Sequence, residues 1–200
     1  MTIAPQATER HAMKLSEPAA AAGQDLMQAL RLRRSTRALS ARPLPEHLLS
    51  TLLWAACGIN RHATGGRTAP SAHGWREIEV YAALADGLYR YDAAGHALQP
   101  VAPGDVRALT GTQDFVASVP LDLVYVADFS RMTGASEQDR TFFAATDAAV
   151  IAQNVYLLCA AKGLGTVVRG LVDRQRLAPV MGLRREQRIV LAQSVGFPAD

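Results

Sequence analysis

The order of predicted elements places this chain in the α+β class, and three observations carry that reading. Helical periodicity fills the first quarter of the chain and a long stretch near residues 140–165. Alternating or fully apolar strand patterns fill the middle and the end. The two kinds do not alternate as regular strand–helix–strand units, so a doubly wound parallel sheet is not expected.

The elements follow in order. MTIAPQATERHAMKLSEPAAAAGQ mixes Pro, Glu, Arg and Ala without an uninterrupted apolar run. It reads as an extended or disordered arm over residues 1–23, not a signal peptide, ahead of a single domain over 24–200. DLMQALRLRRS sets Leu26, Met27, Leu30 and Leu32 against basic residues and predicts a helix that ends at an arginine cluster. RPLPEHLLSTLLWAACGIN predicts a second helix. Pro45 sits at its start, where a missing N–H is harmless, and Gly58 ends it. INRHATGGRTAPSAHGW, residues 59–75, predicts a long irregular loop, and loops of that length in a compact domain tend to be functional or disordered.

EIEVYAAL predicts a strand, and GLYRYDAAGHALQPV a hairpin turning at Asp92–Gly95. DVRALTG and DFVASV predict short helical pieces, and LDLVYVAD a buried strand. Residues 140–165 form the longest periodic segment, apolar on nearly every face, which predicts a central helix packed on several sides and capped by Gly163. TVVRGLVD then predicts a strand and turn, RQRLAPVMGL a short helix and QRIVLAQSVGF a closing strand. No run approaches the roughly 20 apolar residues of a membrane span, so a soluble, cytoplasmic protein is expected.

Composition narrows the function classes. A formal charge of +3 over 200 residues is too mild to argue for nucleic acid, and no aromatic residues interleave with the arginines to stack bases. Cys57 and Cys159 sit in apolar helical patterns with no Cys or His at ligand spacing, which reads as two buried small hydrophobes. The five histidines (His11, His47, His62, His73 and His96) form no pair at ligand spacing, so no metal site is expected.

Three segments are candidates for chemistry. LRLRRSTRALS packs Arg31, Arg33, Arg34 and Arg37 around Ser35 and Thr36. Guanidinium groups bind phosphate through paired, charge-assisted hydrogen bonds, and basic residues at a helix C-terminus also complement its dipole. The cluster alone leaves a nucleic-acid backbone, a kinase-added phosphate and a cofactor phosphate open. RTAPSAHGW sets Arg67, Thr68 and Ser71 among small residues that let backbone approach a flat ligand, with Pro70 stiffening the turn. In GLGTVVRGLVD the glycines close a helix rather than open one, so this is no dinucleotide fingerprint. Gly170 is instead a candidate for exposing backbone N–H groups. Asp147 is either a buried acid or an ordinary satisfied polar group. There is no GxSxG, Walker A, HExxH or triad, so an enzyme reading puts the reaction on a cofactor.

With these segments in this order, the chain resembles nitroreductase-family flavoproteins from about Met13 to Pro198. LMQALRLRRSTRALSARPLPEHLLSTLLWAACGINR resembles the opening helix, RRS-x-R flavin motif and second helix of that family. GRTAPSAHGWREIEVYAAL, GLYRYDAAGHAL, LVYVADFSRM, AQNVYLLCAAKGLGTVVRGLVD and QSVGFP follow in register. The nearest branch is the one grouped with thiazoline/oxazoline peptide dehydrogenases, where GINR and RTAPSA recur.

The resemblance implies a nitroreductase-like α+β homodimer, with an antiparallel or mixed central sheet flanked by helices and FMN at the dimer interface. Arg33, Arg34, Ser35 and Arg37 match the motif for the FMN phosphate, ribityl chain and pyrimidine edge. Pro70, Ser71, Ala72 and His73 match the loop that reaches FMN from the other subunit. Gly170 and Leu171 match the turn whose N–H groups face flavin N5 and O4, stabilising reduced flavin as an oxyanion hole stabilises charge. No side chain is catalytic on this reading.

Two departures stand out. Gly74 replaces a common Asn, which leaves its pyrimidine contact to Arg76 or to water. The basic residues that many relatives carry after the last strand are absent from GFPAD, and Arg67 or Arg169 is the candidate substitute.

The implied activity is ping-pong hydride transfer from NADH or NADPH, through FMN, to a small nitroaromatic, quinone or enone acceptor. The alternatives are a flavin-dependent dehydrogenase acting on a peptide azoline without NAD(P)H, a flavin-destroying enzyme and a non-catalytic FMN binder. Neither nucleic acid nor a membrane is an expected partner.

Overall fold

In the computed structural model, which describes residues 11–19 and 25–199, the chain runs through thirteen elements. They are β1 (Met13–Lys14), α1 (Leu26–Leu32), α2 (Glu46–Cys57), β2 (Ile59–Arg61), β3 (Gly66–Arg67), β4 (Ile78–Leu84), β5 (Gly87–Asp92), β6 (Ala97–Pro103), β7 (Leu121–Asp128), α3 (Glu137–Lys162), β8 (Gly165–Arg169), α4 (Arg174–Val180) and β9 (Gln187–Gly196). Seven strands form one sheet in the order β1-β6-β5-β4-β7-β9-β8, and β2 pairs with β3 apart from it. Every pairing among these strands is antiparallel, which resolves the expected antiparallel or mixed sheet.

The central strand explains the sheet's two-sided core. β7 is buried at all eight positions. Leu121, Leu123, Tyr125 and Ala127 join the core shared with α2 and α3, while Val124 and Val126 join a second core with Leu177 and Met181 of the α4 region. A strand covered on both faces reads as a near-continuous apolar run, and LDLVYVAD is apolar except at Asp122 and Asp128. Leu52 and Leu53 of α2 are fully buried in the first core, each worth roughly 1.5–3 kcal/mol.

The helix ends match their sequence signals. Asp25 caps α1 by accepting from the Gln28 N–H at 2.9 Å. Ser136 caps α3, accepting from Asp139 N at 3.1 Å, and Gly163 closes it at φ +69°.

Three expectations are corrected. The 59–75 loop contains the β2–β3 hairpin and a short turn of 3₁₀ helix at Ala72–Gly74, pieces of two or three residues that periodicity cannot detect. α3 is not packed all round. Ala144, Asp147, Ala148, Ile151, Ala152, Val155, Tyr156 and Cys159 are buried, whereas Phe142, Ala145, Thr146, Ala149 and Gln153 face outward. By length and composition α3 is also apolar enough to cross a membrane, which the sequence reading did not anticipate; its buried stripe faces the sheet and α2. Finally, part of the expected 1–23 arm is tied to the domain. β1 pairs with β6, and Leu15 is buried. The rest of the arm lies outside the described residues.

Candidate functional site

The arginine cluster is held along β8. After α1 the chain turns, Thr36 donates its N–H to Thr166 O at 2.8 Å, and Leu39 bridges to Pro198. Close approach requires Gly165. A Cβ there would meet Leu39 Cδ2 at 2.5 Å and Thr36 Cγ2 at 3.0 Å. Gly165→Ala is therefore expected to cost about 1–3 kcal/mol through overpacking, read as a lower urea midpoint with unchanged slope.

Tyr156 of α3 gathers the first group of candidates. Its hydroxyl lies 2.8 Å from Ser35 Oγ and accepts the Val168 N–H at 3.0 Å, and the Arg33 guanidinium stands 5.3 Å over its ring. Arg34 lines an adjoining cavity of about 160 Å³ with Thr36, Gly163 and Thr166. Among the described residues, Arg31, Arg33, Arg34 and Arg37 make no ion pair. Two residues beyond Val168 comes the Gly170–Leu171 turn. Gly170 is exposed with open space where a Cβ would stand, and Leu171 is 64% exposed. Neither N–H meets an acceptor among the described residues, so the turn presents two free donors.

Arg169 is a different matter. Its side chain is only 2% exposed and is held inside the fold, which leaves it no approach to a phosphate, so that expectation is corrected. Its guanidinium donates to Asp122 Oδ1 at 2.7 Å, Thr110 O at 2.8 Å, Ser194 Oγ at 3.1 Å and Thr110 Oγ1 at 3.2 Å. Ser194 Oγ also donates to Asp122 Oδ1 at 2.5 Å. Burial pushes the Asp122 carboxyl up to about 6 against the downward pull of Arg169. Thr112 N donates to Leu171 O at 3.3 Å, so the 110–112 segment straps the turn from both ends.

The second group lies on the 70–76 loop. Ala72 donates its N–H to Asp147 Oδ2 at 2.8 Å, and Ser71 Oγ donates to Glu77 Oε2 at 3.2 Å while accepting the Arg76 N–H at 2.8 Å. His73, Gly74 and Arg76 have φ of +51°, +68° and +51°, a strained run that these contacts enforce. The His73 ring packs 4.4 Å from Trp75 and edge-on to Phe143. Pro70 is exposed. The Arg76 guanidinium turns back to Thr64 O at 3.2 Å and crosses Gly65. Arg67 lines a small cavity with Ser71 and Asp147, so it belongs to this group rather than beside Arg34.

The structure does not bring the two groups together within one chain. Asp147 and Tyr156 are nine residues apart on α3, about 13 Å along its axis and roughly half a turn around it. Sequence reasoning missed Tyr156, Glu77 and Asp122, and it left Asp147 undecided. The sequence signal of Tyr156, Asp122 and Asp147 is a polar atom at an apolar-periodic or strand-interior position, and Glu77, just ahead of β4, has none.

The sequence matches the Nitroreductase family over residues 30–197, most of the chain. The chain belongs to the nitroreductase family. A solved Ralstonia eutropha structure that bears a nitroreductase name is similar at 46% identity and TM-score 0.91, over 96% of this chain and 91% of that one. A chain of the Escherichia coli microcin synthetase McbBCD complex with truncated pro-MccB17 bound has 20% identity and TM-score 0.73, over 93% and 78%. The NADPH:FMN oxidoreductase of Vibrio harveyi complexed with NAD+ has 20% identity and TM-score 0.65, over 88% and 70%. The last two similarities concern the fold alone. As a nitroreductase-family protein, this chain is an oxidoreductase.

Proposed function

We propose that this nitroreductase-family protein is an FMN-dependent oxidoreductase that takes reducing equivalents from NADH or NADPH and passes them to a small nitroaromatic, quinone or enone acceptor. The observation that carries this is the line from the unpaired arginines, through the Ser35–Tyr156–Val168 contacts, to the free N–H groups of Gly170 and Leu171. Cationic donors at one end and neutral backbone donors at the other suit a ligand with a phosphate and a polar ring edge. Bound FMN would supply hydride chemistry.

The chain's own part is orientation. Arg33, Arg34 and Arg37 would hold the phosphate, with Ser35 beside them. Gly170 and Leu171 would direct N–H groups at the atoms of the ring that gain charge on reduction. Pro70, Ser71, Ala72 and His73, with Arg76 behind them, would close the site from a second copy of the chain. The separation of the two groups on α3 supports a site split across a homodimer. So do the exposed apolar side chains of Leu26, Met27, Leu30 and Leu32 on α1 and of Phe142 on α3.

The test is an absorbance spectrum of the purified protein, followed by anaerobic addition of NADH or NADPH. Flavin bands that bleach with one donor are expected. Truncating both Arg33 and Ser35 to alanine is expected to give colourless protein; a double variant that stays fully yellow would contradict the phosphate assignment. A second reading keeps FMN and runs the chemistry the other way, on a peptide azoline. Gly74, with nothing within 4 Å of where its Cβ would stand, leaves room for a larger substrate. Flavin bands that NAD(P)H does not bleach would favour it.

A further inference from the structure

We infer that the open cavity between the N-terminal half of α3, the start of β9 and Arg174 at the head of α4 is a binding site for organic anions with a flat apolar body. It measures about 560 Å³, within the range of small-molecule sites. Its floor is apolar, with Phe129, Ala144 and Val190. Its wall carries Arg140, Arg174, Arg185 and Arg188 against Glu137 and Glu186, a balance of two positive charges.

Four features mark this wall as a site rather than a solvated surface. Among the described residues, none of the four guanidinium groups is ion-paired. Arg140 Nε is buried and has no hydrogen-bond partner, a state that carries a desolvation cost until an acceptor arrives. Arg174 is fixed by backbone carbonyls, donating to Val190 O at 2.8 Å and Ile189 O at 2.9 Å. Those contacts hold its position and leave its charge uncompensated. The Arg188 guanidinium stands 5.9 Å from the Phe129 ring, a cation beside an aromatic surface. An inorganic anion would leave the apolar floor unused, and a neutral aromatic would leave the arginines unmatched.

Arg174 also donates to Gly170 O at 3.3 Å, which joins this wall to the turn with the free N–H groups. If the flavin reading above holds, aromatic carboxylates or phosphates are the acceptors favoured; that consequence rests on it, whereas binding in the cavity does not.

The test is calorimetric titration of the full chain, reconstituted with FMN, with 2-naphthoate, 2-naphthyl phosphate and neutral 2-naphthamide. At least one anion is expected to bind ten-fold or more tighter than the amide, and their ratio identifies the preferred head group. The R140Q/R188Q variant is expected to lose ten-fold or more in anion affinity while keeping its circular dichroism and its visible spectrum. Equal affinity for the amide, no binding of either anion, or an unaffected variant overturns the proposal. So does competition between 2-naphthoate and FMN on FMN-free protein, which would make the cavity the flavin's own place. A protein that takes no FMN yet binds the anions through Arg140 and Arg188 would sink the flavin reading and leave this one standing.

Discussion

Asp122→Ala is expected to destabilise the protein by about 3–5 kcal/mol at pH 7, the loss typical of removing one partner from a buried ion pair. The side chains of Arg169 and Asp122 are 2% and 0% exposed, and among the described residues no other carboxylate reaches the guanidinium. Truncation would leave a full positive charge facing only Thr110 and Ser194. The pair also spans the sheet, since Asp122 lies opposite Ser194 on β9 and Arg169 opposite Ala192. Urea unfolding should show the midpoint fall with the slope preserved.

Replacing both partners by apolar residues, as in D122L/R169M, should recover most of the loss, because the cost lies in the unpaired charge and not in the absence of the pair. A change under about 1 kcal/mol in Asp122→Ala would mean that water reaches the site and the pair is not buried. The function follows the stability. The 110–112 segment that holds Arg169 also holds Leu171 O, so FMN retention should fall in Asp122→Ala well below the denaturant concentration that unfolds it.

The same pair shows what the sequence could convey. Periodicity and C-terminal glycines were legible because each is local: Gly58 and Gly163 announce their helix ends within a few residues, whereas the Asp25 and Ser136 caps went unread and α3 begins three residues before the expected 140. β7 was legible because burial on both faces makes it apolar at every position but Asp122 and Asp128. The arginine cluster stood out as a candidate anion site because four like charges in seven residues are unusual by themselves. Arg169 was misread for the opposite reason. Its partners Asp122, Thr110 and Ser194 are 25 to 59 residues away in sequence and meet it only in the folded sheet. Tyr156 was not singled out from the apolar pattern of α3, since nothing local reveals that its hydroxyl reaches both Ser35 and Val168. Glu77 looked like a polar residue at the start of a strand, and only the loop folding over it creates its burial.

Glu77 gives the second large effect, a stability that declines as pH rises from about 4.5 to about 7 and levels off above. Burial, and then the nearby Asp147 carboxylate, push the Glu77 carboxyl up from its ordinary 4.5 to about 7. Between those values the folded chain keeps a proton that the unfolded chain has released. Rising pH therefore favours unfolding, by up to about 3 kcal/mol over the interval at roughly 1.4 kcal/mol per pH unit. The groups around it are Asp147 from α3, Ser71 and the Arg76 N–H from the loop, and Arg67 lining the next cavity. Glu77 Oε1 is buried with no partner among the described residues, so the Ser71 hydroxyl on Oε2 and the backbone N–H of Glu77 itself offset its ionisation only in part.

Glu77→Gln keeps the shape and removes the charge. The difference in unfolding free energy between the wild type and this variant should therefore carry the slope, even where other carboxylates titrate. The variant should gain on the wild type as pH rises, and the gain should stop growing above pH 7. Two ionised carboxylates under the loop would also loosen the contacts that force His73 and Arg76 to positive φ. FMN release should accordingly be faster at pH 9 than at pH 6 in the wild type, and nearly pH-independent in Glu77→Gln. Parallel stability curves for the two proteins from pH 5 to 9 would show that Glu77 is already ionised in the fold, with Arg67 or water supplying the missing partner.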